Sequence, residues 1–129
     1  MSNFDAIDMF AGLGGFSTGA NKAGVPVVWS ANHNSHACKY HGANHPHAPK
    51  PIQQDLMEAD FTLVPRSRIM LASPVCPGHS QCSQPARKGT GGNSRPDAHA
   101  AQVKAQRDRQ TAMAVISAAD VVRPEFIAV

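Results

Sequence analysis

A glycine-rich turn, Gly12–Gly15, stands between two segments with different apolar spacing near the start of the chain. The preceding segment, Phe4–Phe10, has the apolar content of a buried strand, and the spacing in Phe16–Ala23 predicts a helix that stops at Gly24. Glycines in such a turn allow the backbone to approach a ligand closely, and the helix N–H groups then point at that ligand. The order therefore predicts a nucleotide-binding βα unit, although packing alone also accounts for glycines at βα turns. The spacing is neither the dinucleotide fingerprint nor a P-loop.

The same alternation of strand and helix continues to the last residue. Short apolar runs bounded by turn formers predict further strands, and two longer segments have helical spacing. The predicted strands are Val25–Ala31, Ile52–Leu56, Ile69–Ala72 and Phe126–Val129; the predicted helices are Ser35–Asn44 and Thr111–Val122, with a weak helix or loop over 57–68. This order predicts an α/β fold with a parallel, doubly wound sheet.

Composition narrows the class of protein. The chain has 129 residues, of which 42% are hydrophobic and 16% charged, and this composition predicts one globular domain. No apolar run approaches the roughly 20 residues of a membrane span, and no signal pattern opens the sequence, so we expect a cytoplasmic protein. Three cysteines without a paired framework indicate reduced thiols.

A cysteine between two prolines follows the predicted strand Ile69–Ala72. Pro74 and Pro77 stiffen the backbone around Cys76, and Gly78 lets the chain turn away. Ligands in open α/β sheets bind beyond the carboxyl ends of the strands, so this position suits a nucleophile. A small buried hydrophobic side chain is the other interpretation of Cys76.

Polar residues also follow two other predicted strands. Asn32 lies about 20 residues after the glycine turn, where a polar side chain often binds ribose hydroxyls; capping of the next helix is its alternative role. Asp55 is either a ligand contact or a turn former.

Basic residues concentrate after the cysteine segment. Between Gln81 and Gln110 six basic and two acidic side chains give a net charge of +4, while the whole chain carries +3. Such a segment can bind phosphates, and a solvated surface loop is the alternative. A metal site is a further hypothesis, because histidines cluster with Cys38 around 33–47 and because Cys76, His79 and Cys82 are spaced three apart. No Cys-x-x-Cys pair supports either group.

Three segments, in order, resemble motifs of the DNA (cytosine-5)-methyltransferases. Ile7–Phe16 resembles the first motif, D-x-F-x-G-x-G-G, which binds S-adenosylmethionine. Ala72–Ser80 resembles the fourth, the P-C-Q-x-x-S segment with the catalytic cysteine. Arg123–Val129 resembles the approach to the sixth, where Glu-Asn-Val comes next. The resemblance implies an incomplete Rossmann-like fold of the S-adenosylmethionine-dependent methyltransferases, and an N-terminal half that ends before the Glu-Asn-Val motif.

The resemblance also implies a role for individual residues. It assigns cofactor binding to Phe10, Gly12, Leu13, Gly14, Gly15, Asn32, His33, Asp55 and Leu56. It makes Cys76 the catalytic nucleophile, which adds to C6 of cytosine, and it assigns DNA contacts to Ser80, Arg87, Lys88, Arg95 and Arg109. The implied organisation is a cofactor-binding half over 1–73, a catalytic motif over 74–80, a mobile DNA-contacting loop over 81–108, and a helix and strand over 109–129.

The chain departs from the family pattern at several positions. Val75 replaces the proline before the cysteine, Pro77 and His79 replace Gln and Phe, and Asn32 replaces an acidic ribose ligand. The sequence holds no Glu-Asn-Val motif and no target-recognition domain. We therefore expect part of a DNA-binding enzyme of bacterial or phage origin. The chain is then either a fragment of a longer protein or one subunit of a split enzyme, whose C-terminal half is on a second polypeptide. A non-catalytic cofactor- or DNA-binding remnant, or a small redox or metal protein, are the alternatives.

Overall fold

The structure is a computed structural model that describes residues 4–75 and 98–129. Its strands are β1 (Ala6–Met9), β2 (Val27–Asn32), β3 (Ile52–Gln53), β4 (Ile69–Ala72) and β5 (Phe126–Ala128). Its helices are α1 (Gly15–Lys22), α2 (Ser35–Asn44) and α3 (Ala98–Val122), with a short 3₁₀ helix at Phe61–Leu63.

The five strands form one parallel sheet in the order β3-β2-β1-β4-β5. The chain moves outward from β1 to β3 on one side and then returns to place β4 and β5 on the other. This reversal next to β1 is the arrangement of a doubly wound sheet, and it confirms the predicted fold class. It also brings the carboxyl ends of β1 and its two neighbours to the same edge, where ligands bind in such folds.

Alternate residues of the strands pack on opposite faces of the sheet, because side chains alternate along a strand. On one face, Ile7 and Met9 of β1 pack in the same cluster as Ala114 and Ala118 of α3. On the other face, Ala6 of β1 packs in a smaller cluster with side chains that include Ala20 of α1. Helices therefore cover both faces, and Asp8, between Ile7 and Met9, points toward α1.

Two predicted boundaries are wrong. The predicted loop over 81–108 ends early, because α3 begins at Ala98; residues 81–97 lie outside the described part of the chain. The first turns of α3 are rich in Ala, Gln, Lys and Arg, which favour helix without supplying an apolar face. The third strand covers only Ile52–Gln53 instead of Ile52–Leu56, because polar residues interrupt this exposed edge.

The other strands and helices begin and end within two residues of their predicted bounds. The bounds of α2 and β4 are those predicted, and the weak segment 57–68 contains a single 3₁₀ turn. Within residues 4–75 and 98–129, no helix is both long and apolar enough to cross a membrane.

Candidate functional site

A cleft of about 290 Å³ opens at the carboxyl edge of the sheet, next to the ends of β1, β2 and β3. Four residues that the sequence assigns to cofactor binding line this cleft: Phe10, His33, Asp55 and Leu56. The remaining lining residues are Met57, Val75, Arg107, Asp108 and Thr111. The fold therefore brings together residues from three separate segments of the predicted cofactor site, with α3 along one side.

Phe10 and Leu56 are two of the four apolar residues that line the cleft, with Met57 and Val75. Leu56 is 2% exposed and Phe10 is 8% exposed, so little of either side chain faces water. Phe10 also has φ of 56°, an uncommon backbone conformation for a bulky residue that occurs often at binding sites. The chain bends there, and the next residue, Ala11, donates from its N–H to the Ala31 carbonyl at 3.0 Å.

Asp55 provides a carboxylate at the same cleft. Its Oδ1 accepts a hydrogen bond from the Met57 N–H at 3.0 Å, and its Oδ2 pairs with the Arg107 guanidinium. The Met57 N–H and then Arg107 hold the pKa of Asp55 below its ordinary value. Asp55 is therefore ionised at neutral pH and can accept a hydrogen bond from a ligand that displaces Arg107.

Replacement of Arg107 by glutamine is expected to raise the pKa of Asp55, because the substitution removes a positive charge that favours the ionised form. A carboxyl ¹³C NMR titration of wild type and Arg107→Gln measures this change. Asp60 is the internal control, since its pKa is lowered by Thr62 and not by Arg107. An Asp55 titration that is the same in both proteins would show that the ion pair does not persist in solution.

The glycine turn follows Phe10 and connects β1 to α1. Gly12 and Gly14 have φ of 53° and 93°, a region that only glycine adopts readily. The Gly14 N–H donates to the Ala11 carbonyl at 2.9 Å, and Leu13 is 60% exposed. Gly12, Leu13, Gly14 and Gly15 do not line the cleft itself. Their predicted contact with a cofactor stays a prediction.

Asn32 does not cap the helix that follows it. The Asn34 side chain caps α2 instead, accepting from the His36 and Ala37 N–H groups at 2.9 and 3.1 Å. Asn32 is buried, and its Oδ1 accepts from the Asn34 N–H at 2.9 Å. The capping role predicted for Asn32 is therefore wrong, because Asn34, two residues later, caps α2. The role of Asn32 as a ribose ligand stays a prediction.

Asp8 is a residue of the first motif for which the sequence predicts no role. Its side chain is fully buried, and Oδ2 accepts hydrogen bonds from the Ser17 N–H at 3.1 Å and from Ser17 Oγ at 2.6 Å. Burial raises the pKa of Asp8, and its Oδ1 has no partner among the described residues. Asp8 thus links β1 to α1 across the glycine turn. An acidic residue within an apolar strand was the sequence signal.

The structure describes one of the three cysteines, Cys38. Cys38 is partly buried, its thiol contacts the Asn32 carbonyl at 3.4 Å, and burial raises its pKa. A raised pKa disfavours the thiolate, so Cys38 is a poor nucleophile. The predicted residues Cys76, Ser80, Arg87, Lys88 and Arg95 lie outside the described residues. Arg109 lies on α3, within the segment 109–129 that was predicted to hold a helix and a strand, and its contact with DNA stays a prediction.

Two of the clustered histidines, His41 and His45, pack together with ring centroids 4.9 Å apart. In the described part of the chain, no three His, Cys, Asp or Glu side chains are arranged to hold a metal ion. The group formed by Cys76, His79 and Cys82 lies outside the described residues.

A larger cavity of about 490 Å³ lies away from the predicted residues. It is next to the start of β2, where Pro26 and Val27 meet the segment Pro46–Pro49. No residue predicted to bind cofactor or DNA lines it. Its position near the amino end of a parallel strand is not the usual place for a ligand.

Comparisons with known proteins agree with this geometry. A family model described as C-5 cytosine-specific DNA methylase matches residues 4–96. A solved structure described as a DNA modification methyltransferase encoded within an E. coli prophage is 22% identical, with a TM-score of 0.66, over 96% of this chain and 30% of that one. A TehB-like SAM-dependent methyltransferase from Corynebacterium glutamicum is 16% identical, with a TM-score of 0.50, over 59% of this chain and 40% of that one. No curated protein matches.

The solved structures confirm the predicted Rossmann-like fold of the S-adenosylmethionine-dependent methyltransferases. This chain spans 30% and 40% of their lengths. The family model covers well over half of the chain and includes the glycine turn, the cleft residues of β1 to β3 and the cysteine segment. The chain therefore belongs to the C-5 cytosine-specific DNA methylases.

Proposed function

We propose that the chain carries the S-adenosylmethionine site and the catalytic cysteine of an enzyme that methylates C5 of cytosine in DNA. The cleft is the observation that carries the proposal, because Phe10, His33, Asp55 and Leu56 converge there from three segments of sequence. The family motifs give each of these residues a cofactor role. Their convergence is not required by packing alone, since His33 is exposed and Asp55 is charged.

The residues of the cleft fit an adenosine group. Phe10 and Leu56 offer an apolar surface for a flat ring, and Asp55 offers an ionised acceptor for an amino or hydroxyl group. When bound, S-adenosylmethionine supplies an electrophilic methyl group. The glycine turn next to Phe10 would let the backbone approach the remainder of the cofactor, since Gly12, Gly14 and Gly15 have no side chain.

Cys76 would activate the cytosine ring. C5 of cytosine is a poor nucleophile until the Cys76 thiolate donates its electron pair to C6 and forms a C6–S bond. The C5=C6 double bond breaks, its electrons move into a C4=C5 enamine as N3 takes a proton from water, and C5 becomes nucleophilic. After C5 has gained a methyl group, a water molecule takes its proton, the electrons restore the C5=C6 double bond, and the C6–S bond breaks to return the thiolate as N3 releases its proton. Nearby positive charges lower the pKa of such a thiol, and the basic side chains between Gln81 and Gln110 could provide these charges.

DNA is the proposed substrate and partner. A target base must leave the duplex to reach the thiolate, and basic side chains can hold the phosphates while it does. Ser80, Arg87, Lys88, Arg95 and Arg109 are the proposed contacts. Because the chain spans 30% of the prophage methyltransferase, we propose that further family regions, on the same or a second polypeptide, complete the site.

Covalent capture on DNA containing 5-fluorocytosine tests the proposal. Fluorine at C5 cannot leave as a proton, so the C6–S bond persists after methyl transfer and the complex survives denaturing electrophoresis. The assay uses the chain alone and the chain mixed with a C-terminal half from another family member. We expect a cofactor-dependent complex in the mixture, and none when Cys76→Ala replaces the wild type.

The controls separate the two parts of the proposal. Cys38→Ala should form the complex as well as the wild type, because the pKa of Cys38 is raised and its thiol lies outside the cleft. A chain that binds S-adenosylmethionine but is never captured on DNA would be a non-catalytic cofactor-binding module. Capture that persists in Cys76→Ala would overturn the assignment of the nucleophile.

A further inference from the structure

Arg107 of α3 occupies the hydrogen-bond acceptor that the proposed cofactor site offers to a ligand. Its guanidinium pairs with Asp55 Oδ2, and both residues line the cleft of about 290 Å³. The Met57 N–H donates to Asp55 Oδ1 at 3.0 Å, so each carboxylate oxygen already has a partner. An amino or hydroxyl group that takes Oδ2 as its acceptor therefore meets Arg107 as a competitor.

The ion pair between Arg107 and Asp55 is open to water. The Arg107 side chain is 65% exposed and the Asp55 side chain is 30% exposed. Exposed ion pairs contribute little to stability, because water solvates both charges when they separate. The pair can therefore fill the acceptor in the free chain and still give way to a ligand that binds in the cleft.

Arg107 also has space outside the cleft. It borders a second groove, of about 440 Å³, whose lining includes the Glu58 side chain. Among the described side chains of α3 before Thr111, Arg107 is the one with a hydrogen bond or ion pair to another segment, and none of these side chains is buried. Displacement of Arg107 into this groove therefore breaks one contact and leaves the buried side of α3, from Thr111 onward, in place.

We propose that Arg107 sets the affinity of the cofactor site, because it competes with the adenosine group of the cofactor for the Asp55 carboxylate. This inference rests on the proposed function, since it assumes that the cleft binds S-adenosylmethionine. The competitor is part of the same chain, so its effect does not depend on protein concentration. The observed affinity is that of the open site, reduced by the fraction of molecules in which the ion pair is open.

Competition for Asp55 differs from simple charge repulsion in the ligands that it affects. S-adenosylmethionine has a sulfonium and an ammonium group against one carboxylate, so its net charge is positive. S-adenosylhomocysteine lacks the sulfonium charge, and adenosine is neutral. Competition affects all three ligands equally, because they share the adenosine group, whereas repulsion by Arg107 acts on the net charge of S-adenosylmethionine alone.

Calorimetry with these three ligands tests the inference. Arg107→Gln removes the guanidinium, and Arg66→Gln is the matched control, because Arg66 is exposed and does not line the cleft. Asp55→Asn keeps an acceptor for the Met57 N–H but removes the carboxylate. Asp55→Asn, alone and combined with Arg107→Gln, completes a double-mutant cycle. The melting temperature of each variant shows whether it is folded.

We expect Arg107→Gln to bind each of the three ligands about threefold more tightly than the wild type, the effect of one exposed ion pair. Arg66→Gln should bind as the wild type does. In the Asp55→Asn background, Arg107→Gln should leave the affinity unchanged, because no carboxylate remains for Arg107 to occupy.

Salt provides an independent measurement of the same competition. An increase from about 0.05 M to about 0.5 M sodium chloride screens an exposed ion pair. The ratio of the affinities of Arg107→Gln and the wild type for S-adenosylhomocysteine should therefore fall from about threefold toward equality. Other effects of salt on binding act on both proteins and cancel in this ratio.

The inference and the proposed function fail in different ways. Equal affinities of the wild type and Arg107→Gln for all three ligands would overturn the competition and leave the cofactor site intact. A gain for S-adenosylmethionine alone would assign the effect to charge repulsion, and weaker binding by Arg107→Gln would make Arg107 a cofactor contact; either result overturns the inference. If both proteins are folded and bind none of the ligands, the proposed cofactor site itself is wrong.

Discussion

Gly14→Ala is expected to fold but to bind S-adenosylmethionine about two orders of magnitude more weakly than the wild type, a loss of about 3 kcal/mol, because the substitution moves the backbone that we propose to contact the cofactor. Gly14 has φ of 93°, which an alanine adopts at a cost of about 1 kcal/mol or more. The new Cβ would also lie 2.4 Å from His45 Nε2. The turn must therefore move, or His45 must leave the Gly14 carbonyl. Calorimetry of both proteins measures the loss.

Gly19→Ala is the matched control for this experiment. Gly19 lies inside α1, five residues further along the chain, and a Cβ there would meet no atom within 4 Å. Alanine favours helix over glycine, so this variant should gain about 0.5–1 kcal/mol of stability and keep the wild-type affinity. Equal affinities for Gly14→Ala and Gly19→Ala would mean that the turn plays no part in binding.

The second large effect is expected at Asp8. Asp8→Ala removes the acceptor of two buried hydrogen bonds from Ser17, at 3.1 and 2.6 Å, and leaves both donors unpaired. We expect a loss of about 2–3 kcal/mol in the free energy of unfolding, as for other buried polar groups left without partners. Urea unfolding at neutral pH gives the value. Glu58→Ala, at an exposed acidic residue, should leave stability unchanged.

Asp8→Asn separates the hydrogen bonds from the charge. The asparagine side chain still offers an acceptor to Ser17, so it should retain most of the stability that alanine loses. Burial raises the folded pKa of Asp8 above the 3.8 of an ordinary aspartate. The folded state thus binds this proton more tightly, and the contribution of Asp8 to stability falls as pH rises through the raised pKa. Asp8→Asn should lack that decrease; a variant that retains it would assign the titration to another group.

The fold could be predicted where the apolar pattern of a segment matches the way in which that segment packs. Ile69–Ala72 is apolar on both faces, and it became β4 at its predicted bounds because helices cover both sides of the sheet. α2 has its predicted bounds because the Asn34 side chain caps its first turn. Where packing does not decide, the prediction is wrong: the sequence predicts a loop over the polar start of α3, although the composition of that segment favours helix.

The candidate site was predictable only where a motif marks it. Phe10, His33, Asp55 and Leu56 follow strand ends, and parallel strands bring their carboxyl ends to one edge. Arg107 lies far from Asp55 in sequence, so its ion pair depends on the path of α3 and has no local signal. The position of His41 and His45 behind Gly14, with His45 Nε2 at the Gly14 carbonyl, was also missed. Their clustering suggested metal ligands, because spacing along a helix does not reveal which backbone atoms a ring will contact.

An NMR titration of the ¹⁵N-labelled chain with S-adenosylmethionine tests the proposed cofactor site most directly. We expect saturable shifts of the amides of Phe10, Gly12, Gly14, His33 and Leu56. Amides next to the cavity of about 490 Å³, such as Val27 and Ala48, should not move. Saturable shifts at Val27 and Ala48 instead, or no saturable shifts anywhere in a folded chain, would contradict the cofactor site proposed at the carboxyl edge of the sheet.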